Sequence, residues 1–213
     1  MSLTIDYYLS PQSPWTYLGH ERFCEIARAA KANVRVLPVD LGGKVFPVTG
    51  GVPLSKRAPQ RQAYRLLELK RFSEALGQPI NLQPRFFPVS GDDAARLIVA
   101  VDMHDGTEAA LALTGAVLRG VWVDDVNTAD ANVLAAMLAT LGLPSRRLDD
   151  AYSQAAHARY EADSALAIEA GVFGAPSYVI DGEIFWGQDR LDFVHARPAS
   201  THRPAAEIGR AHL

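Results

Sequence analysis

The chain has 213 residues, a single cysteine and a formal net charge of −3, from 21 basic and 24 acidic side chains. Hydrophobic residues make up 48% of it, which argues against a disordered chain, and the slightly acidic balance argues against a nucleic-acid-binding protein. One cysteine excludes an internal disulfide, a cysteine-rich zinc site and a Cys-x-x-Cys redox pair.

The start of the chain predicts a strand, a helix and a second strand. Residues 3–9 alternate apolar and polar side chains and are rich in aromatic and β-branched types, which is typical of a strand. Residues 15–32 have apolar side chains near helical spacing, and Ser13 followed by Pro14 suits the N-cap and first position of that helix. Residues 34–39 form the second strand, so we expect a parallel β-α-β unit.

The middle of the chain predicts an all-helical block. Residues 41–59 are rich in glycine and proline and predict loops. Helical spacing predicts helices at residues 59–77, 92–103, 107–122, 130–141 and 145–170. Asp130 and Ser145 are candidate N-caps, and Gly142 and Gly171 are the glycines that would follow two of these helices.

The end of the chain returns to strands. Two short β-prone runs, residues 177–180 and 183–186, flank an Asp-Gly pair at 181–182, which predicts a hairpin. Residues 188–196 predict a last helix, and residues 197–213 form a tail without periodicity.

In this order the elements predict an α/β fold with an all-helical insertion, which resembles the thioredoxin fold of the disulfide-oxidoreductase A type. The thioredoxin-like domain would comprise residues 1–58 and 161–196, and the helical insertion residues 59–160. The longest apolar-rich stretch, residues 109–118, is far short of the ~20 residues that a membrane helix needs. The N-terminus has no basic region followed by an apolar stretch, so we expect a cytoplasmic protein without membrane contact. No histidine pair has metal-ligand spacing, so no metal is expected.

Two motifs narrow the resemblance to one family. Residues 6–19 read Asp-Tyr-Tyr-Leu-Ser-Pro-Gln-Ser-Pro-Trp-Thr-Tyr-Leu-Gly and resemble the start of 2-hydroxychromene-2-carboxylate isomerases and kappa-class glutathione transferases. Residues 171–178, Gly-Val-Phe-Gly-Ala-Pro-Ser-Tyr, and 181–191, Asp-Gly-Glu-Ile-Phe-Trp-Gly-Gln-Asp-Arg-Leu, match a second, longer motif of the same family. The resemblance covers residues 3 to about 195 and implies glutathione as cofactor.

The first motif places hydroxyl groups where redox relatives have sulfur. Residues 13–16, Ser-Pro-Trp-Thr, stand at the place of Cys-x-x-Cys, so the chain has no thiol there for disulfide exchange. A hydroxyl can instead donate a hydrogen bond to a thiolate that glutathione brings. We therefore assign Ser13 as the catalytic residue and Ser10 as the second choice. Ser13 as a simple helix cap is the alternative, and the two roles are compatible.

The second motif would bind glutathione. The residues that the resemblance assigns to glutathione are Ala175, Pro176, Trp186, Gly187, Gln188 and Asp189. The family has a cis proline at Pro176, which would leave the backbone of Ala175 free to pair with the cysteinyl part. The start of the last helix would attract the γ-glutamyl carboxylate, and Asp189 would pair with the amino group. An ordinary turn at Pro176 and an ordinary first-turn acid at Asp189 are the alternatives.

The substrate implied by the resemblance is a small aromatic carboxylate. Lys44 follows the second strand, where the isomerases place a lysine that would bind this carboxylate or stabilise a developing enolate. Ser55 and Lys56 lie in the segment where isomerases often have Asn and Arg. Residues 89–91, Val-Ser-Gly, depart from the family's Asn after Phe-Pro.

The resemblance therefore predicts isomerisation of an aromatic keto acid through a reversible glutathione adduct, in a homodimer. A kappa-like transferase would retain the conjugate instead of eliminating the thiolate. A non-catalytic thioredoxin-fold module would bind a peptide along the same edge. Cys24, a few turns into the first helix, is interpreted as a small buried hydrophobic residue.

Overall fold

A four-stranded mixed sheet lies at the centre of the computed structural model, which describes residues 3–197. Its strands are β1 (Thr4–Leu9), β2 (Asn33–Pro38), β3 (Ser177–Ile180) and β4 (Glu183–Trp186), in the order β2-β1-β3-β4. β1 pairs in parallel with β2 and antiparallel with β3, and β3 and β4 form an antiparallel hairpin. The predicted β-α-β start and the Asp-Gly hairpin are both confirmed. Beyond Arg197, the predicted tail lies outside the described residues.

The helices surround this sheet, and most of them lie between β2 and β3 in the chain. They are α1 (Pro14–Ala29), α2 (Phe46–Thr49), α3 (Pro59–Leu76), α4 (Asp92–Asp105), α5 (Thr107–Trp122), α6 (Ala131–Thr140), α7 (Arg147–Ala151), α8 (Gln154–Glu169) and α9 (Leu191–Ala196). None of these described helices is long and apolar enough to cross a membrane. The central sheet, with most helices inserted between β2 and β3, confirms the predicted α/β thioredoxin-like fold with added helices.

The single helix predicted for residues 145–170 is wrong. The chain forms α7 and α8, and Ser153 between them caps α8, its Oγ accepting the Ala156 N–H at 3.1 Å. This side-chain hydrogen bond replaces a backbone one and interrupts the helix. α7 begins after Arg146, so Ser145 is not its N-cap, whereas Asp130 is the N-cap of α6 as predicted.

Two further regions differ from prediction. Residues 41–59, predicted as loops, contain a π-helical turn (Leu41–Val45), the short helix α2 and a 3-10 turn (Leu54–Lys56). The Asp40 side chain caps the first turn by accepting the Gly43 N–H at 2.7 Å, a local hydrogen bond that composition does not reveal. The last predicted helix begins instead as a 3-10 turn, Gln188–Arg190, that leads into α9.

Apolar side chains cover both faces of the sheet. Alternation along β1 sends Tyr7 to one face, where its ring lies 4.3 Å from that of Phe23 in α1 and 5.4 Å from that of Tyr178 in β3. Tyr8 faces the opposite cluster, which includes Val172 after α8. The contact of Phe23 with Tyr178, whose ring centroids are 4.8 Å apart, packs the middle of α1 against β3.

Candidate active site

Ser13 is held at the start of α1 by its own side chain. Its Oγ accepts the Thr16 N–H at 3.2 Å, and Pro14 fills the first helical position, so the predicted cap is confirmed. The same hydroxyl donates to the carbonyl oxygen of Ala175 at 3.3 Å. Ser10 contributes its carbonyl oxygen, which accepts the Ser13 N–H at 3.0 Å. One hydroxyl therefore touches both sequence motifs.

The second motif is joined to this point by backbone hydrogen bonds. The Ala175–Pro176 peptide bond is cis. The Gly187 N–H donates to the carbonyl oxygen of Pro176 at 2.9 Å, which ties the end of β4 to the proline loop. A Cβ at Gly174 would lie 2.5 Å from Nε1 of Trp186, so a larger residue there would displace the indole. The structure therefore brings together Ser13, the Ala-Pro loop and the predicted glutathione segment.

Within that segment the side chains face different surroundings. Trp186 is 52% exposed, and its ring lies 4.8 Å from that of Phe173. Gln188 is buried, and its Oε1 accepts from Nη1 of Arg22 at 3.1 Å, so this side chain is directed to α1. Asp189 is exposed and paired with Arg190 at 2.8 Å. Trp186 and Asp189 thus offer side chains to a ligand, whereas Gln188 supports the turn from inside.

Of the two hydroxyls that stand in place of the cysteine pair, at Ser13 and Thr16, only that of Ser13 is accessible. The Thr16 side chain is fully buried, and its Oγ1 has no hydrogen-bond partner within residues 3–197. Ser13 is partly exposed at the helix start. A ligand at the start of α1 could therefore reach Ser13 but not Thr16.

The three predicted substrate residues lie in the turns between β2 and α3. Lys44 is in the π-helical turn after β2, and its Nζ forms an ion pair with Glu161 of α8. Ser55 and Lys56 are exposed on the 3-10 turn. In the described part of the chain, none of these three side chains forms a hydrogen bond or ion pair with Ser13.

Sequence reasoning did not predict that the loop before α4 reaches the Ser13 segment. The Gln12 side-chain amide donates to the carbonyl oxygen of Val89, so the loop before α4 lies against the segment that carries Ser13. Phe87 of this loop packs on Trp122 with ring centroids 4.8 Å apart, and the Phe87–Pro88 peptide bond is cis. Arg65 of α3 lies over the Phe87 ring at 5.5 Å. In the sequence, only the Phe87-Pro88 pair and the basic residues of the preceding segment could have drawn attention to this loop.

A cavity of about 500 Å³ lies elsewhere, between α1 and α5. Its lining includes His20 and Cys24 but not Ser13. Burial raises the pKa of the Cys24 thiol to about 12, so this thiol is protonated at neutral pH and unsuited to nucleophilic chemistry. Cys24 is 4% exposed, which confirms it as a buried hydrophobic residue.

Comparisons with known proteins agree with this architecture. The family model of the DSBA-like thioredoxin domain matches residues 4–197. A 2-hydroxychromene-2-carboxylate isomerase of Sphingobium xenophagum is 27% identical over 92% of this chain and 98% of its own length. The isomerase of the same name from Pseudomonas putida is 24% identical over 97% of this chain and 99% of its own.

Solved structures show the same fold. A 2-hydroxychromene-2-carboxylate isomerase superposes with a TM-score of 0.76 and 24% identity, covering 91% of this chain and 93% of that one. A cytosolic disulfide reductase from Pseudomonas aeruginosa, solved with GSH, gives a TM-score of 0.66 and 18% identity over 91% of this chain and 98% of that one.

Proposed function

This chain belongs to the family of DSBA-like thioredoxin domains, and on that premise we propose that it is a glutathione-dependent isomerase of the 2-hydroxychromene-2-carboxylate type. Full-length curated relatives with that name support the reaction. The observation that carries the proposal is the 3.3 Å contact between Ser13 Oγ and the Ala175 carbonyl. It places an accessible helix-capping hydroxyl beside the loop of the second motif, in a chain with no cysteine at this position.

Ser13 is suited to stabilise a thiolate. A hydroxyl has one proton to donate and two lone pairs, and here one lone pair accepts from Thr16, which fixes the orientation of the side chain. The proton is free to turn from the Ala175 carbonyl to a sulfur anion. Such a charge-assisted bond contributes about 1.5–3 kcal/mol, and the start of the 16-residue α1 adds about 0.3–1 kcal/mol.

These two contributions together match the free energy needed to lower the pKa of the glutathione thiol. A free thiol has a pKa of about 8.5, and lowering it by about two units takes roughly 2.7 kcal/mol of preferential thiolate stabilisation. Bound glutathione would supply the thiolate that adds reversibly to a conjugated double bond of the aromatic substrate.

The residues around Ser13 fit a short peptide that carries a thiol. The backbone of Ala175 would pair with the cysteinyl part, next to the Ser13 hydroxyl. Trp186 is half exposed. The exposed pair of Asp189 and Arg190 contributes little stability by itself, so Asp189 can exchange Arg190 for an amino group. The last helix contributes less than predicted, because it begins as a three-residue 3-10 turn.

Lys44, Ser55 and Lys56 remain our candidates for contacting the aromatic acid. The ion pair of Lys44 with Glu161 is partly exposed, and such pairs contribute about 0–1 kcal/mol, so a substrate carboxylate can replace Glu161. This charge matches the small aromatic carboxylate that the curated relatives are named for.

We also propose a cytoplasmic homodimer. A reducing compartment keeps glutathione as the thiol that the reaction needs. Tyr64 and Leu67 on α3 are 57% and 44% exposed, and a second copy of the chain would cover them. Light scattering on the purified chain tests the dimer, and a monomeric mass would refute it.

Glutathione binding and glutathione-dependent turnover test the central proposal. Calorimetry should detect glutathione at millimolar concentration, and the ultraviolet spectrum of 2-hydroxychromene-2-carboxylate should change only when glutathione is added. S-methylglutathione is the matched control, because it retains the peptide but cannot form a thiolate. It should bind without supporting turnover.

The alternatives give different results. Accumulation of a stable conjugate would favour a kappa-like transferase over an isomerase. Absence of glutathione binding would refute both enzymes and leave a thioredoxin-fold binding module.

A further inference from the structure

Arg65 of α3 is a partly buried cation that lies against two aromatic rings. Its guanidinium carbon is 5.5 Å from the ring centroid of Phe87 and 5.7 Å from that of Trp122. Within residues 3–197 no carboxylate forms an ion pair or hydrogen bond with it. Burial, together with the nearby Arg57 guanidinium, lowers the pKa of Arg65 to about 10, yet Arg65 remains charged at neutral pH. A desolvated cation without a counter-charge is unfavourable, so an anion would complete this site.

The sequence that leads up to Arg65 is basic. Residues 41–67 contain no aspartate or glutamate and have five cations, which are Lys44, Lys56, Arg57, Arg61 and Arg65. Lys44 is already paired with Glu161, whereas Arg57 donates its Nε–H to the carbonyl oxygen of Val52 at 2.7 Å. The chain as a whole has a net charge of −3, so this local excess of positive charge is specific to the segment.

The site of Arg65 adjoins the loop that carries Ser13. Phe87, which Arg65 contacts, lies two residues before Val89, whose carbonyl oxygen accepts from the Gln12 side chain. Gln12 directly precedes Ser13 in the chain. Phe87 is only partly buried, so part of an aromatic residue in contact with the guanidinium is accessible.

We propose that Arg65 binds the carboxylate of the aromatic acid substrate and that Phe87 contacts its ring. This inference rests on the proposed function, and it assigns the carboxylate to Arg65 in addition to the lysines predicted from sequence. A guanidinium forms two parallel hydrogen bonds with a carboxylate, which a lysine cannot do. The two aromatic rings hold the planar group in place by cation–π contact.

Salicylate, an aromatic 2-hydroxy acid, and salicylamide, its uncharged counterpart, are the probes that test this assignment by calorimetry. Arg65→Gln should weaken salicylate binding about tenfold or more and leave salicylamide binding unchanged. Arg71→Gln is the matched control, because Arg71 is an exposed arginine on the same helix, paired with Glu68. It removes the same charge and should bind salicylate like the wild type.

Arg65→Lys keeps the proposal testable if Arg65→Gln does not fold. It retains the charge but loses the paired hydrogen bonds, so salicylate affinity should fall several-fold. Equal affinities for salicylate in the wild type and the Arg65 variants would overturn the inference. So would a wild-type protein that does not distinguish salicylate from salicylamide or binds neither.

The same variants separate this inference from the proposed function. Glutathione binding should be equal in the wild type, Arg65→Gln and Arg71→Gln. If the wild type fails to bind glutathione but binds salicylate through Arg65, the proposed function fails and the carboxylate site remains. If glutathione binds and salicylate binding does not depend on Arg65, the carboxylate site alone fails.

Discussion

Replacing Ser13 by alanine separates its structural role from its chemical one. The variant loses the oxygen that accepts the Thr16 N–H at 3.2 Å and the proton that now faces Ala175 at 3.3 Å. Loss of an N-cap costs about 1 kcal/mol of unfolding free energy. Loss of the charge-assisted bond costs the thiolate about 1.5–3 kcal/mol, and one pKa unit is about 1.4 kcal/mol. The pKa of the bound glutathione thiol should therefore rise by about one to two units.

Ser153→Ala is the control for the structural role. Ser153 caps α8 with the same geometry, its Oγ accepting the Ala156 N–H at 3.1 Å. Both variants should lose about 1 kcal/mol in urea unfolding, but only Ser13→Ala should move the thiol titration. Ser13→Thr retains a hydroxyl and should retain most of both properties.

The assay is the ultraviolet thiolate absorbance of bound glutathione, measured against pH for each variant. An unchanged curve in Ser13→Ala would refute the assignment of Ser13 and direct the same experiment to Ser10. An equal displacement in Ser153→Ala would show that the change follows from lost stability and not from a lost hydrogen bond.

Three further perturbations probe close packing and buried ionisable groups in the fold. A Cβ on Gly19 would lie 2.8 Å from the Cβ of Gln188, so Gly19→Ala should cost about 1–3 kcal/mol and weaken glutathione binding in calorimetry. Arg147→Met leaves Asp105, which Arg147 contacts at 2.5 and 2.8 Å, without its buried partner, and should cost about 3 kcal/mol in urea unfolding. Burial lowers the pKa of His20 to about 4, below the ~6.5 of the unfolded chain, so the unfolded state binds the proton first as pH falls. This histidine should therefore remove up to about 3 kcal/mol of stability between pH ~6.5 and ~4, a loss absent in His20→Gln.

The same substitutions at less tightly packed positions provide the controls for the first two variants. A Cβ on Gly42 meets nothing within 4 Å, so Gly42→Ala should leave glutathione affinity unchanged. Arg146 is exposed, and Arg146→Met should change unfolding free energy by less than about 0.5 kcal/mol. Equal losses within either pair would contradict the packing argument. For His20→Gln, a pH profile that parallels the wild type would contradict the titration argument.

Sequence patterns predicted correctly those elements whose structure depends on residues close together in the chain. The alternation in β1, the Ser-Pro start of α1 and the Asp-Gly turn each depend on neighbouring residues, and all three are present. The helix break at Ser153 also has a local cause, but a serine at helical spacing can either cap a helix or continue it, so the sequence left both outcomes open.

The site could be predicted only in part. The two motifs led to Ser13 and Ala175, whose contact the structure shows. The pairing of Lys44 with Glu161 and the lack of a described carboxylate partner for Arg65 arise from tertiary packing, which residue spacing does not encode. The contact of Gln12 with Val89 is of the same kind.

The separation of Ser13 from Ala175 also has a consequence for the timing of synthesis. The contact between them joins residues 162 positions apart, so it cannot form before the ribosome has made nearly all of the sheet. At about 10 residues per second, Ser13 waits roughly 16 s for its partner. Until β3 joins β1, the nascent chain has Ser13 and the start of α1 but lacks the Ala175–Pro176 loop beside them, so the complete site arises late.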